Sequence, residues 1–138
     1  MMKKIQTLLL FMSIFSCTLF AQTTLTADGP GNTYELITNV LAPNYNPIEA
    51  PDCSHGAFGR HIEEVWDSAL NKYVFAFHIH TTEDDDRCIN FDRQRNEIKS
   101  YDKSPANLLG VLGETVVYKW KFKLPLGFQP SNLSLIHI

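Results

Sequence analysis

Positive charge is scarce in this chain. Twelve Lys and Arg stand against fifteen Asp and Glu, for a net charge of −3 at pH 7, so no general cationic field exists to hold a nucleic acid, and no such partner is expected. Any affinity for an anionic ligand has to come from a local patch. Long apolar runs are also lacking. The one near the N-terminus, residues 8–15, falls short of the ~20 residues that span a bilayer as a helix, and no stop-transfer pattern follows it. Internal repeats, heptads and sustained helical periodicity are missing, which argues against solenoids and coiled coils. Cysteine is rare, with three residues in 138. What remains is ordinary globular composition, 44% hydrophobic and 20% charged, too apolar for a disordered chain.

The N-terminus reads as a secretory signal. Lys3 and Lys4 supply the positive region, the apolar run follows, and Ala21 is the small residue before the cut. Residues 1–21 are expected to be removed on export, which places the mature chain outside the cell or in the periplasm with no stable membrane anchor. Lipoprotein processing at Cys17, in Ile14-Phe15-Ser16-Cys17, is the alternative, and Phe15 fits it badly. Cleavage after Ala21 leaves Cys53 and Cys88, and an even pair in an exported chain points to a disulfide rather than a metal site. Two free buried thiols are the other reading. A loop closed across 35 residues is worth roughly 4 kcal/mol in the chain-entropy picture. The last six residues, 133–138, read as the translation of a library-adapter end and are set aside from fold reasoning. Native sequence is therefore expected to run to about residue 132, as the N-terminal part of a longer chain.

Between those ends the pattern is of short strands divided by turns. Residues 34–40 alternate as a strand, with Tyr34, Leu36, Thr38 and Val40 on one face. Pro43, Pro47 and Pro51 make residues 42–52 a constrained loop. A strand is expected from about Arg60 to Trp66, a hairpin connection at residues 67–71, and a second strand over residues 72–81. Residues 82–87 form an acidic loop, either a solvated turn or a seat for a structural calcium ion. Residues 101–107 are turn-rich, and residues 108–113 form an apolar connector. The clearest alternation lies in residues 114–124, where Val116, Tyr118, Trp120, Phe122 and Leu124 face a core and Lys119, Lys121 and Lys123 face out. The expected fold is all-β, a sandwich or jelly roll, in one monomeric domain over residues 22–132.

The chain is organised around residues 92–99. A regular strand there puts Arg93, Arg95, Glu97 and Lys99 on one face, and Gln94, Asn96 and Ile98 on the other, core-facing side. A guanidinium fork matches carboxylate and sulfate oxygens, so Arg93 and Arg95 are candidates for holding an oxyanion, with Lys99 beside them and Glu97 as their orienting partner. A cross-strand ionic ladder is the structural alternative. His78 and His80 share a face one strand repeat apart, suited to substrate contact or proton transfer. No third ligand at a fitting distance accompanies them, so no metal is expected.

Several segments in order resemble the secreted ulvan lyases of polysaccharide lyase family 28. They are Phe77-His78-Ile79-His80, Asp86-Arg87-Cys88, the stretch 92–99, Tyr101-Asp102-Lys103-Ser104-Pro105, Gly113-Glu114-Thr115 and Tyr118-Lys119-Trp120-Lys121-Phe122. Arg95-Asn96-Glu97-Ile98-Lys99 is also similar to the Arg-x-Glu-x-Arg strand of jelly-roll alginate lyases, with Lys99 in place of the last Arg. Lys and Arg are not equivalent at a bidentate carboxylate site, so the motif alone leaves the polymer open. The resemblance implies a concanavalin-like β jelly roll, present here as its N-terminal portion, and β-elimination on ulvan or a similar sulfated uronic-acid polysaccharide, with no cofactor required. It also implies a catalytic tyrosine and a Gln-x-His-like strand beyond residue 132, so residues 1–138 alone are expected to be inactive. A noncatalytic carbohydrate-binding jelly roll is the alternative.

Overall fold

The computed structural model describes residues 22–80 and 85–129, without the side chains of 85, 86 and 90–94. The expected signal peptide, most of the acidic loop and the terminal six residues lie outside the described residues. So does the Arg93 side chain.

Thr33–Leu41 forms helix α1, not the strand expected for residues 34–40. Alternate residues there satisfy a strand, but Thr33, Tyr34, Ile37 and Leu41 satisfy helical spacing equally. That second set is the one that meets the core. Thr33 and Ile37 are buried, and Tyr34 and Leu41 pack against the central cluster.

The strands are β1 (Ile48–Glu49), β2 (Ile62–Asp67), β3 (Lys72–Phe77), β4 (Asp85–Asp86), β5 (Asn90–Gln94) and β6 (Glu97–Ile98), followed by a 3₁₀ turn at Ala106–Leu108. They pair antiparallel as β2–β3, β1–β6 and β4–β5. Strands and loops dominate, as the composition of the segments predicts.

The β2–β3 hairpin is where the alternation puts it, in register from Ile62 opposite Phe77 to Asp67 opposite Lys72. Asp67 Oδ1 closes the turn by accepting the N–H groups of Ala69 at 2.9 Å and Leu70 at 3.1 Å. Asn71 takes the left-handed conformation, φ 51°, which Asn tolerates better than most residues.

Two expectations fail for reasons of pairing. Strand β1 lies inside the proline loop 42–52, because the chain between Pro47 and Pro51 is extended and finds a partner in β6. The single strand expected over residues 92–99 is broken at Arg95 and Asn96, so β5 joins β4 while β6 joins β1. The Asn96 carboxamide donates to the carbonyls of both His61 and His78 at 3.0 Å, and so ties this break to the ends of β2 and β3.

Residues 114–124 take no ladder partner among the described residues. Val116, Tyr118, Trp120, Phe122 and Leu124 are 42% to 76% exposed, so the face expected to meet a core does not. Alternation specifies faces, but a ladder also requires a neighbour for its N–H and C=O groups.

The core is small. Ile37, Ile48 and Ile62 are buried together, with Leu25, Tyr34, Leu41, Phe75 and Ile98 packed around them. Ile98 thus faces inward as its place in the alternation requires. Glu64 is buried beside this region and its Oε2 accepts the N–H groups of Asp28 and Gly29, both at 2.6 Å. Gly29 has φ 138°, a conformation that a side chain would strain. The Cys53–Cys88 disulfide is formed, with Cα atoms 6.2 Å apart.

Candidate functional site

The β1–β6 register sets Glu49 opposite Glu97. Like charges facing across an antiparallel pair repel, and here cations intervene. Arg95 and Lys99 both donate to Glu49, Arg87 Nη1 lies 3.2 Å from Glu49 Oε1, and Arg95 Nε lies 3.6 Å from Glu97 Oε2. Glu49 is 4% exposed. Burial alone would push its carboxyl up. Hydrogen bonds from Lys99 and Arg95, with the charges of Lys99 and Arg87, outweigh that and hold it below the usual value. The cations themselves stay within reach of solvent, at 33% to 41% side-chain exposure.

Arg95, Glu97 and Lys99 therefore come together, while Arg93 lies on β5, in a different strand pair. Glu49 and Arg87 were not legible as part of this patch. Glu49 sits among prolines and Arg87 at the end of the acidic loop, and only long-range pairing brings them to the arginine row.

A second cluster adjoins the first through Arg87. Asp52 Oδ2 accepts the Tyr34 hydroxyl at 2.9 Å. Asp52 Oδ1 accepts the His61 backbone N–H at 2.9 Å and lies 3.0 Å from His61 Nδ1. A carboxylate only accepts, so Nδ1 carries the proton in that contact. His61 is fully buried. Burial, and then the bond to Asp52, push the Tyr34 hydroxyl well above the usual phenol range. Arg60 stacks its guanidinium 4.5 Å from the Tyr34 ring centre and forks onto Glu35 with two bonds of 2.8 Å. The Arg60 fork lowers the Glu35 carboxyl to about 2. Tyr34, Asn46, Ile48, Asp52, Cys53 and Arg87 line a cavity of about 300 Å³.

His78 and His80 share a neighbourhood, as their spacing predicts, each against the Phe58 ring, at centroid distances of 5.2 Å and 4.8 Å. His78 Nε2 reaches Glu63 Oε1 at 2.7 Å. His80 stacks on His55 at 4.0 Å and lies 5.0 Å from His61. The sequence reading missed His55 and His61, although four of the five histidines fall within residues 55–80. Among the described residues no group of three or more His, Cys, Asp or Glu side chains is placed to hold a metal ion.

The chain matches no family model, no curated protein and no solved structure. The resemblance to ulvan lyases thus stands on its motif residues alone.

Proposed function

We propose that these residues belong to a secreted polysaccharide lyase that acts on ulvan or a similar sulfated uronic-acid polysaccharide, and that the strand pairs are part of a concanavalin-like jelly roll. One observation carries the reading. Arg87, Arg95 and Lys99 converge on a single buried carboxylate, Glu49, so a chain of net negative charge presents a local cationic patch on partly exposed side chains.

That patch suits β-elimination. The C5–H bond of the uronate breaks as a base takes the proton, the C4–O bond breaks with its electron pair, and a C4=C5 double bond forms. The departing oxygen takes up a proton. Charge builds on the uronate carboxylate along the way, and cations held in place at that carboxylate stabilise it where it develops. Arg95 and Lys99 take this role, with Glu49 and Glu97 orienting them. His80 or His78 serves as a proton carrier.

Trp66, 54% exposed on β2 and edge-on to Tyr73, favours one further reading, a carbohydrate-binding module that holds the polymer without cleaving it. The ultraviolet absorbance of the unsaturated uronate product separates the two. Protein expressed from the whole reading frame that contains these residues is incubated with ulvan, alginate and glucuronan. A rise with ulvan supports the lyase. Retained binding with no rise on any polymer leaves the binding module.

A further inference from the structure

The geometry points to the cavity beside Arg87 as a seat for one uncharged sugar unit, adjoining the acidic unit held at Arg95 and Lys99. This rests on the proposed acidic polysaccharide as ligand. At about 300 Å³ the cavity is at the small end of ligand sites, suited to a single pyranose and not to a longer segment. Among the described residues its wall carries Asp52 and Arg87, with the Tyr34 hydroxyl, the Asn46 carboxamide and the apolar side chain of Ile48. Arg87 is already engaged by Glu49 at 3.2 Å, and Asp52 by Tyr34 and His61, so a charged guest gains little. Hydroxyls, which donate and accept, find both kinds of partner. Asp52 Oδ2 accepts from Tyr34 and retains a second lone pair for a sugar hydroxyl, while Ile48 offers a surface for ring C–H groups.

The backbone supplies a second observation. Arg87 and Cys88 have φ values of 53° and 55°, two successive left-handed residues that are not glycine. Such conformations persist where surrounding structure holds them, and they gather at ligand sites. Here the holding group is the disulfide from Cys88 to Cys53, and Cys53 lines the same cavity. The cross-link therefore fixes the turn that carries Arg87 against the wall. Arg87 also lies 3.2 Å from Glu49, so the seat adjoins the cationic patch.

The test is an amide-resolved NMR titration of the protein with methyl glycosides of glucose, galactose, mannose, rhamnose and xylose, with sodium glucuronate and sodium sulfate alongside. At least one neutral glycoside is expected to shift the Asp52 and Cys53 amides saturably. Arg87→Gln should weaken that binding about tenfold, and Arg95→Gln should leave it within about twofold. If Arg87→Gln does not fold, Tyr34→Phe replaces it and should weaken binding severalfold. No saturable shift with any neutral glycoside, or shifts from glucuronate or sulfate alone, overturns the assignment. Elimination without these shifts refutes the seat and leaves the lyase, whereas these shifts without elimination refute the lyase and leave the seat.

Discussion

The Tyr34 hydroxyl donates to Asp52 at 2.9 Å, and through that carboxylate helix α1 is joined to the buried His61. Burial disfavours the phenolate, and ionising Tyr34 would also set it against a carboxylate, which is why its folded value lies above the ordinary 10.0. The unfolded chain therefore loses this proton first. The stability from this contact is complete below about pH 10 and drains away as pH rises beyond it. Tyr34→Phe should cost about 1 kcal/mol at neutral pH and flatten the alkaline limb. Urea unfolding at stepped pH, wild type beside the variant, checks both.

Glu49 is the acid counterpart. Its carboxyl is held below the ordinary 4.5, so its contribution is present above that pH and lost as acid protonates the folded state. Glu49→Gln should lower stability by roughly 1–3 kcal/mol at neutral pH, because Arg95 and Lys99 lose a charged acceptor. The same variant should weaken the decline below pH 4.5. An unchanged acid limb would show that Glu49 is not the anchor of the patch.

Reducing the Cys53–Cys88 cross-link should cost up to about 4 kcal/mol, the chain-entropy value for its 35-residue span. Thermal unfolding with and without reductant measures this, with a double Ser variant as control.

For function, Arg95→Ala should lower elimination by about 10²–10³-fold, the usual cost of removing one group that stabilises developing negative charge. His80→Ala should lower it about a hundredfold if it carries the proton. Rates within error of wild type would remove these residues from the mechanism, and retained binding would then favour the noncatalytic module.

Legibility follows the range of the interactions. The β2–β3 hairpin was legible because alternation, aromatic content and the Asp67 turn all lie within residues 62–77. The disulfide followed from counting. Helix α1 was not legible, since nine residues satisfied two periods and only packing on Ile48 and Ile62 decides between them. Half of the cationic patch was visible as alternating Arg95, Glu97 and Lys99. Its other half depends on β1 finding β6, and nothing local to Glu49 announces that pairing. In residues 114–124 the alternation was plain, but alternation carries no information about which neighbour a strand meets.

The lysines of that last segment have a consequence for how the protein behaves in concentrated solution. Tyr118, Trp120 and Phe122 are more than half exposed in a segment with no ladder partner among the described residues, the arrangement from which one molecule recruits another edge to edge. Lys119 and Lys121 act as gatekeepers, since two aligned copies would bring like charges face to face. Their reach shrinks with ionic strength, from roughly 10 Å at 0.1 M to roughly 3 Å at 1 M salt. The molecule should therefore stay dispersed in dilute buffer and self-associate in brine.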